Sequence, residues 1–349
     1  MGAAENFPVN PIVGDDPVSK SLAEFYQELA PENKEPYVGL KLHLIRPDSI
    51  PAVSFFVKRG KRYRIFRNKA EKFSAFEIQS LLDAGFDRVF LERHESPLVR
   101  QYLETFLTNS SPGTVPQVSM EAQVSLMRSS AVRITEELFQ DPSPENIRKS
   151  MKVVSGFVNL LVRDPKAFYH LIRLSSHDPY TYQHSVGVGL NAIVLGKRLK
   201  MTTESDLMDL GISGLLHDIG KTKVKPAIIN KPGPLDKSEW EEMRQHSTWG
   251  FELLRDNRDV SQRAKLGVLH HHEENSGGGY PHGLTDNQIS VFAKIITIAD
   301  IFNALTTDRT YSKAKTPFEA FKLIQTAMMH KVDKQLFAEL VMIYGGKLE

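Results

Sequence analysis

At 349 residues, with 41% apolar and 25% charged side chains, the chain is longer than one typical core and has the composition of a globular protein of about two domains. A net charge of +2 gives no basis for a nucleic-acid binder or a membrane-surface protein. With no cysteine, disulfides and thiolate ligands are excluded, and any metal is held by nitrogen and oxygen.

The start, MGAAENFPVN, lacks the basic region and apolar core of a secretory signal, and no stretch approaches the ~20 apolar residues of a membrane helix. The expectation is a cytoplasmic protein with no membrane insertion. Residues 1–37, rich in Pro, Glu, Asp and Asn, read as an N-terminal arm, poorly ordered apart from a short helix around Ser19 to Leu29. Residues 38–109 read as a small α/β (α+β) regulatory or sensor domain. VGLKLHLI and VSFFVKRGKRYRIF are strand-like, the latter a hairpin turning at Arg59-Gly60-Lys61. A helix from about Ser74, a strand in FDRVFLE and a helix over 96–108 complete it. Between Lys58 and Lys72 lie eight basic residues and one acidic one. They read either as a site for phosphate, nucleotide or an acidic partner, or as the solvated face of an edge hairpin whose charge discourages strand pairing.

TNSSPGTVPQ marks a linker, placed at 110–118, ahead of an all-α bundle over 119–349. Its first helix follows the N-cap candidate Ser119 and is the expected surface for a homodimer. Helical spacing recurs over 144–162, 165–175, 180–199, 204–218, 236–256, 260–272, 286–305, 317–330 and 333–344.

Seven of the twelve histidines fall between 184 and 282, within TYQHS, HDIGK, MRQHSTWG and HHHEENSGGGYPHGL, with Asp300 following in IADIF. Imidazoles and carboxylates in apolar helices are costly to bury unless paired or metal-bound. Adjacent side chains on a helix point about 100° apart, so His271 and His272 suit two neighbouring metals better than one. Asp218 can bridge two metals while His217 binds one of them; His184 and Asp300 complete the first site, and His246, His271 and His272 the second. Such a pair would activate a shared hydroxide and clamp an in-line displacement at phosphorus. Nitrogen and oxygen ligands of this kind suit Fe, Mn, Ni or Zn. Lys221, one turn beyond His217, reads as a group that neutralises phosphate charge or assists the leaving alkoxide, or else as a solvated helix-end lysine.

With HDIGK, INKPGPL, MRQHSTWG, HHHEENSGGGYPHGL and IADIFNALTTDRTY in this order and spacing, residues 180–313 resemble the HD-GYP family, a subgroup of the HD superfamily of metal-dependent phosphohydrolases. The resemblance implies a helical bundle, hydrolysis of cyclic di-GMP, and metal roles for the same seven residues: His184, His217, Asp218, His246, His271, His272 and Asp300. It makes Asp218 and Lys221 the expected catalytic residues, with Lys221, Tyr280, Arg309 and Lys313 as substrate contacts. It also implies a structural or substrate-side role for the Gly279-Tyr280-Pro281 loop.

The chain departs from the family pattern at Tyr180, where some members have a glutamate that contributes to a third metal, so two divalent ions are expected, Fe or Mn ahead of Ni or Zn. Glu274 replaces a basic residue, Ser276 replaces the Asp before the glycine turn, and Ser312 follows Tyr311, with Lys313 one place later. The expected function is a cyclic di-GMP phosphodiesterase producing pGpG, with onward hydrolysis to GMP as an extension of the same activity. Beside it stand a weakly active or inactive cyclic di-GMP-binding signalling module and a phosphohydrolase for another nucleotide. A GGDEF-type or other signalling protein is a further expected partner.

Overall fold

In a computed structural model of the chain, residues 17–30, 33–45, 47, 53–69, 71, 73–109, 120–164, 167, 181–201, 203–307 and 313–346 are described. The chain divides into two compact units, Met1–Ser129 and Ser130–Glu349.

The first unit contains β1 (Tyr37–Lys41), β2 (Phe55–Arg59), β3 (Arg62–Arg67) and β4 (Arg88–Glu92), all pairing antiparallel in the order β1-β4-β2-β3. Side chains alternate across a pleated strand, so Val38 and Leu40 of β1 face the core opposite Leu91 and Val89 of β4. Helices α1 (Pro17–Glu28), α2 (Ala75–Asp83) and α3 (Ser96–Asn109) add Leu22, Phe25, Leu81, Val99 and Leu103 to the same core. The unit is therefore α+β. Helix α1 is the short helix expected around Ser19 to Leu29, and it is part of this core rather than of a separate arm: fully buried Leu22 and nearly buried Phe25 tie it to the sheet. Ser74 starts α2 through a reciprocal capping box with Glu77. Basic β3 is an edge strand, the position in which charge guards an open row of amides.

The helices continue with α4 (Met120–Gln140), α5 (Pro144–Arg163), α6 (Thr181–Arg198), α7 (Glu204–Leu216), α8 (Lys237–Arg244), α9 (His246–Leu254), α10 (Gln262–His270), α11 (Val291–Thr306), α12 (Pro317–Leu323) and α13 (Lys334–Tyr344). The division between units falls within α4 rather than at 110–118, which lies wholly outside the described residues. Thr203, Asp236, Ser261 and Ser290 each accept a backbone N–H at the start of a helix, which sets where α7, α8, α10 and α11 begin. In the second unit α6 packs against α7, α11 and α13, and α10 packs against α7, α9 and α11.

Two helix ends differ from the periodicity in ways that shape the site. The stretch 236–256 is two helices, because Gln245 N–H donates to Glu242 at i−3 and the tightened turn breaks the run just before His246. Helix α10 stops at His270, so His271 and His272 lie beyond its end. The expected helix 165–175 falls almost entirely outside the described residues. Among the described residues no helix is long and apolar enough to cross a membrane.

Candidate metal centre

Five separate elements deliver the predicted ligands. His184 is on α6, His217 and Asp218 follow α7, His246 opens α9, His271 and His272 follow α10, and Asp300 is on α11. A one-turn helix, Ile219–Lys223, leads away from Asp218 and lies against α9. Gly220 permits this approach, since a Cβ there would sit 1.9 Å from the His246 carbonyl oxygen. The absent side chain is what brings Asp218 beside His246.

The ligand atoms form two groups, His184/His217/Asp218 and His246/His271/His272, each with its atoms within 4.8 Å of one another. Asp218 faces both: Oδ2 is 3.3 Å from His217 Nε2, and Oδ1 is 3.4 Å from His246 Nε2. Asp300 Oδ1 lies 3.0 Å from His184 Nε2 and 3.9 Å from His217 Nε2. His271 and His272 do not diverge as they would on a helix. The chain turns at the end of α10, their ring centroids are 4.1 Å apart, and both join His246 in one group.

Backbone contacts fix the ring tautomers. The Nδ1–H groups of His217, His246 and His271 donate to the carbonyls of Gly214, Met243 and Val268 at 2.7, 2.7 and 2.6 Å. Each Nε2 is thereby left as a lone pair directed into the cluster. His246 Nε2 and His271 Nε2 are 3.2 Å apart, and His217 Nε2 is buried with no hydrogen-bond partner. Lone pairs facing one another in a buried site repel unless a cation lies among them. The donor set, all imidazole nitrogen and carboxylate oxygen, therefore fits divalent transition-metal ions.

The charges agree with that fit. Burial lowers His246 to about 4 and His272 to about 3, and together with neighbouring imidazoles it holds His271 well below its ordinary value, so all three are neutral ligands near pH 7. Burial alone would lower His217 and raise Asp218, but the attraction between them reverses both. His217 is raised and Asp218, also facing Lys221, is held well below the usual carboxylate range. Burial would raise Asp300 as well, but its hydrogen bond with His184 and the nearby imidazoles hold it low. Two ionised carboxylates, offset in part by Lys221 and by His217 with its raised value, present anionic oxygens to bound cations.

At the rim, Lys221 Nζ is 2.6 Å from Asp218 Oδ2 and remains partly exposed. The Tyr280 ring stacks on His272 at 4.6 Å, and burial pushes its phenol far above the ordinary value, so it stays neutral. The glycine of this loop is needed for close approach: a Cβ on Gly279 would lie 2.4 Å from Glu274 N and 2.5 Å from His272 O. Lys313 is exposed, and Arg309, Tyr180 and Ser312 lie outside the described residues. Glu274, at a position where the family pattern is basic, pairs with Lys331.

Three residues escaped the sequence reading. Asn303 Oδ1 accepts from His184 Nδ1 at 2.8 Å and so aims its Nε2 at Asp300; its place three residues after Asp300, on the same helix face, was the available signal. Glu273, 1% exposed, accepts from the backbone N–H groups of His282 and Leu284 and ties the glycine loop to the histidine turn. Arg244 lies over the rings of Trp240 and Tyr280. Both lie inside strings that the sequence reading quoted, Glu273 in HHHEENSGGGYPHGL and Arg244 in MRQHSTWG, and that membership was the available signal.

The HD domain family matches residues 169–336. The chain is 39% identical over 185 residues to the cyclic di-GMP phosphodiesterase PA4108 of Pseudomonas aeruginosa, covering 53% of this chain and 44% of that protein. It is 34% identical over 289 residues to the 3′3′-cGAMP-specific phosphodiesterase 3 of Vibrio cholerae, covering 78% of this chain and 58% of that one. The chain thus spans about half the length of these curated relatives. Among solved structures, Bd1817, an HDG"Y"P protein from Bdellovibrio bacteriovorus, shares the fold with a TM-score of 0.60 at 19% identity, over 89% of this chain and 100% of that one. With the paired histidine–aspartate groups, the glycine-loop motif and these matches together, residues 169–336 form an HD domain of the HD-GYP type.

Proposed function

We propose that the domain hydrolyses a 3′–5′ phosphodiester bond of cyclic di-GMP to linear pGpG. The observation that carries this reading is Asp218, whose two oxygens face one imidazole group each. Two divalent ions, Fe or Mn ahead of Ni or Zn, held by His184, His217, Asp218 and Asp300 and by Asp218, His246, His271 and His272, would supply an activated water and charge opposite the phosphate oxygens.

The chain's own groups prepare that chemistry. The backbone carbonyls of Gly214, Met243 and Val268 hold three imidazoles in the tautomer that presents Nε2. Lys221 fixes Asp218 and projects positive charge at the rim, where a phosphoryl oxygen or the departing 3′ oxygen would lie. In the reaction the water oxygen bonds to phosphorus, the bond from phosphorus to the 3′ oxygen breaks, and that oxygen takes up a proton. Tyr280, Arg309 and Lys313 are assigned to the substrate side, with Tyr280 beside His272 in support.

A second reading, 3′3′-cGAMP as substrate, is favoured by the name of the relative that aligns with 78% of this chain. Both are tested by anaerobic reconstitution of the full chain with Fe(II) or Mn(II), metal analysis of the same sample, and hydrolysis of the two nucleotides in parallel. Turnover of cyclic di-GMP to pGpG with about two ions per chain is the expected result. Preference for 3′3′-cGAMP selects the second reading, and metal binding without cleavage of either overturns both.

A further inference from the structure

Beside the metal groups, α8 presents Trp240 and Arg244, one helical turn apart and both exposed, Trp240 at 44%. Exposed tryptophan is unusual on a helix face unless it covers something or receives something. The Arg244 guanidinium lies 5.6 Å from the Trp240 ring centroid and 5.2 Å from that of Tyr280. Tyr280 in turn stacks on His272, at 4.6 Å and an interplanar angle of 28°. A continuous row of planar groups, His272, Tyr280, Arg244 and Trp240, therefore runs from the buried ligands out to the surface.

Arg244 stands out among the arginines and lysines around the site. Lys221, Lys225, Lys231 and Arg263 are each paired with a carboxylate, whereas no ion pair joins Arg244 to a carboxylate among the described residues. Aromatic faces hold the guanidinium in place and leave its N–H edge open. That edge is a planar fork suited to a bidentate acceptor, either a phosphate or the O6/N7 edge of guanine. The exposed indole offers a stacking surface for a purine. A cyclic dinucleotide carries all of these chemistries within one small ring.

We infer that Trp240 and Arg244 form a binding platform for the cyclic dinucleotide, with Trp240 stacking one purine and Arg244 holding a bidentate acceptor of the same molecule, outside the metal groups. The platform rests on the reading of the site as a cyclic dinucleotide phosphodiesterase. It selects the substrate and takes no part in bond breaking.

The test uses the reconstituted full-length protein, with Trp240→Ala, Arg244→Ala and Arg244→Lys as variants. Cyclic di-GMP, cyclic di-AMP and bis(4-nitrophenyl) phosphate, a phosphodiester without a purine, serve as probes. The expected result is a KM for cyclic di-GMP raised about tenfold or more in both alanine variants, with metal content and bis(4-nitrophenyl) phosphate hydrolysis unchanged. If Arg244 reads guanine, its variants narrow the preference for cyclic di-GMP over cyclic di-AMP; if it holds phosphate, both nucleotides weaken alike.

Binding is followed separately in a Trp249→Phe background, where Trp240 is the single remaining tryptophan of the two in the chain. Cyclic di-GMP should quench its fluorescence, and Arg244→Ala should shift the titration to higher concentration. Wild-type turnover with KM changes under twofold and no quenching sinks the platform while the hydrolase reading stands. Quenching without turnover keeps the platform and removes the hydrolase reading, and absence of both ends the two together.

Discussion

His246 Nε2 and His271 Nε2 face each other at 3.2 Å, while each ring donates its Nδ1–H to a main-chain carbonyl. Neither nitrogen carries a proton to share, so this buried contact is repulsive in the metal-free protein. Chelation should therefore lower the melting temperature of the second unit and not merely stop turnover. Metal present at a thousandfold its dissociation constant stabilises the folded state by about 4 kcal/mol. Calorimetry before and after chelation checks this, and an unchanged transition would count against a resident metal.

Asp218 offers one oxygen to each imidazole group, so its loss should affect both sites at once. Asp218→Ala is expected to abolish hydrolysis and reduce metal content at both positions, whereas His184→Ala, confined to one group, should leave about one ion per chain. Elemental analysis of the two variants separates these outcomes. Full activity in Asp218→Ala would remove it from the mechanism.

Asn303 acts through His184. Asn303→Ala leaves His184 Nδ1 without its acceptor and frees the ring to rotate, so metal affinity should fall about 10- to 100-fold. A competition titration with a coloured chelator measures the loss. Unchanged affinity would mean that Asp300 alone holds the ring.

Gly220→Ala places a methyl group 1.9 Å from the His246 carbonyl oxygen and 2.5 Å from Gly250 N, both rigid main chain. A destabilisation of about 1–3 kcal/mol is expected, together with weakened metal binding, because separating the turn from α9 separates Asp218 from His246. Urea unfolding and metal analysis report the two effects.

The metal-free protein should lose stability as pH falls. His246 and His272 are depressed to about 4 and about 3, so between pH 6.5 and about 4 the unfolded chain binds protons that the folded chain refuses. His271 adds to this loss. His217 has the opposite sign: its raised value contributes stability that is complete below 6.5 and lost above it. Three depressed imidazoles outweigh one raised imidazole, so the melting temperature of chelated protein should drop on acidification through this window. A flat profile would contradict the burial of these rings as neutral groups.

The sequence by itself determined which residues are available and where helices run. Side-chain period and capping are local, so the Ser74 helix start, the turn at Gly60 and the seven candidate ligands could all be read within a few residues of themselves. The relatedness to the HD-GYP pattern was legible for the same reason, since HDIGK and HHHEENSGGGYPHGL are short contiguous strings. Tertiary structure alone decided how the ligands meet. The break at Gln245 and the end of α10 at His270 turn His246, His271 and His272 toward one point: the sequence reading grouped these three, but an unbroken helix would have set His271 and His272 about 100° apart. The sharing of Asp218, the support of His184 by Asn303 across 119 positions, and the tie from Glu273 to the glycine loop depend on distance in space, including the approach that Gly220 allows. No local periodicity encodes such contacts, because they arise only when separate helices pack against one another.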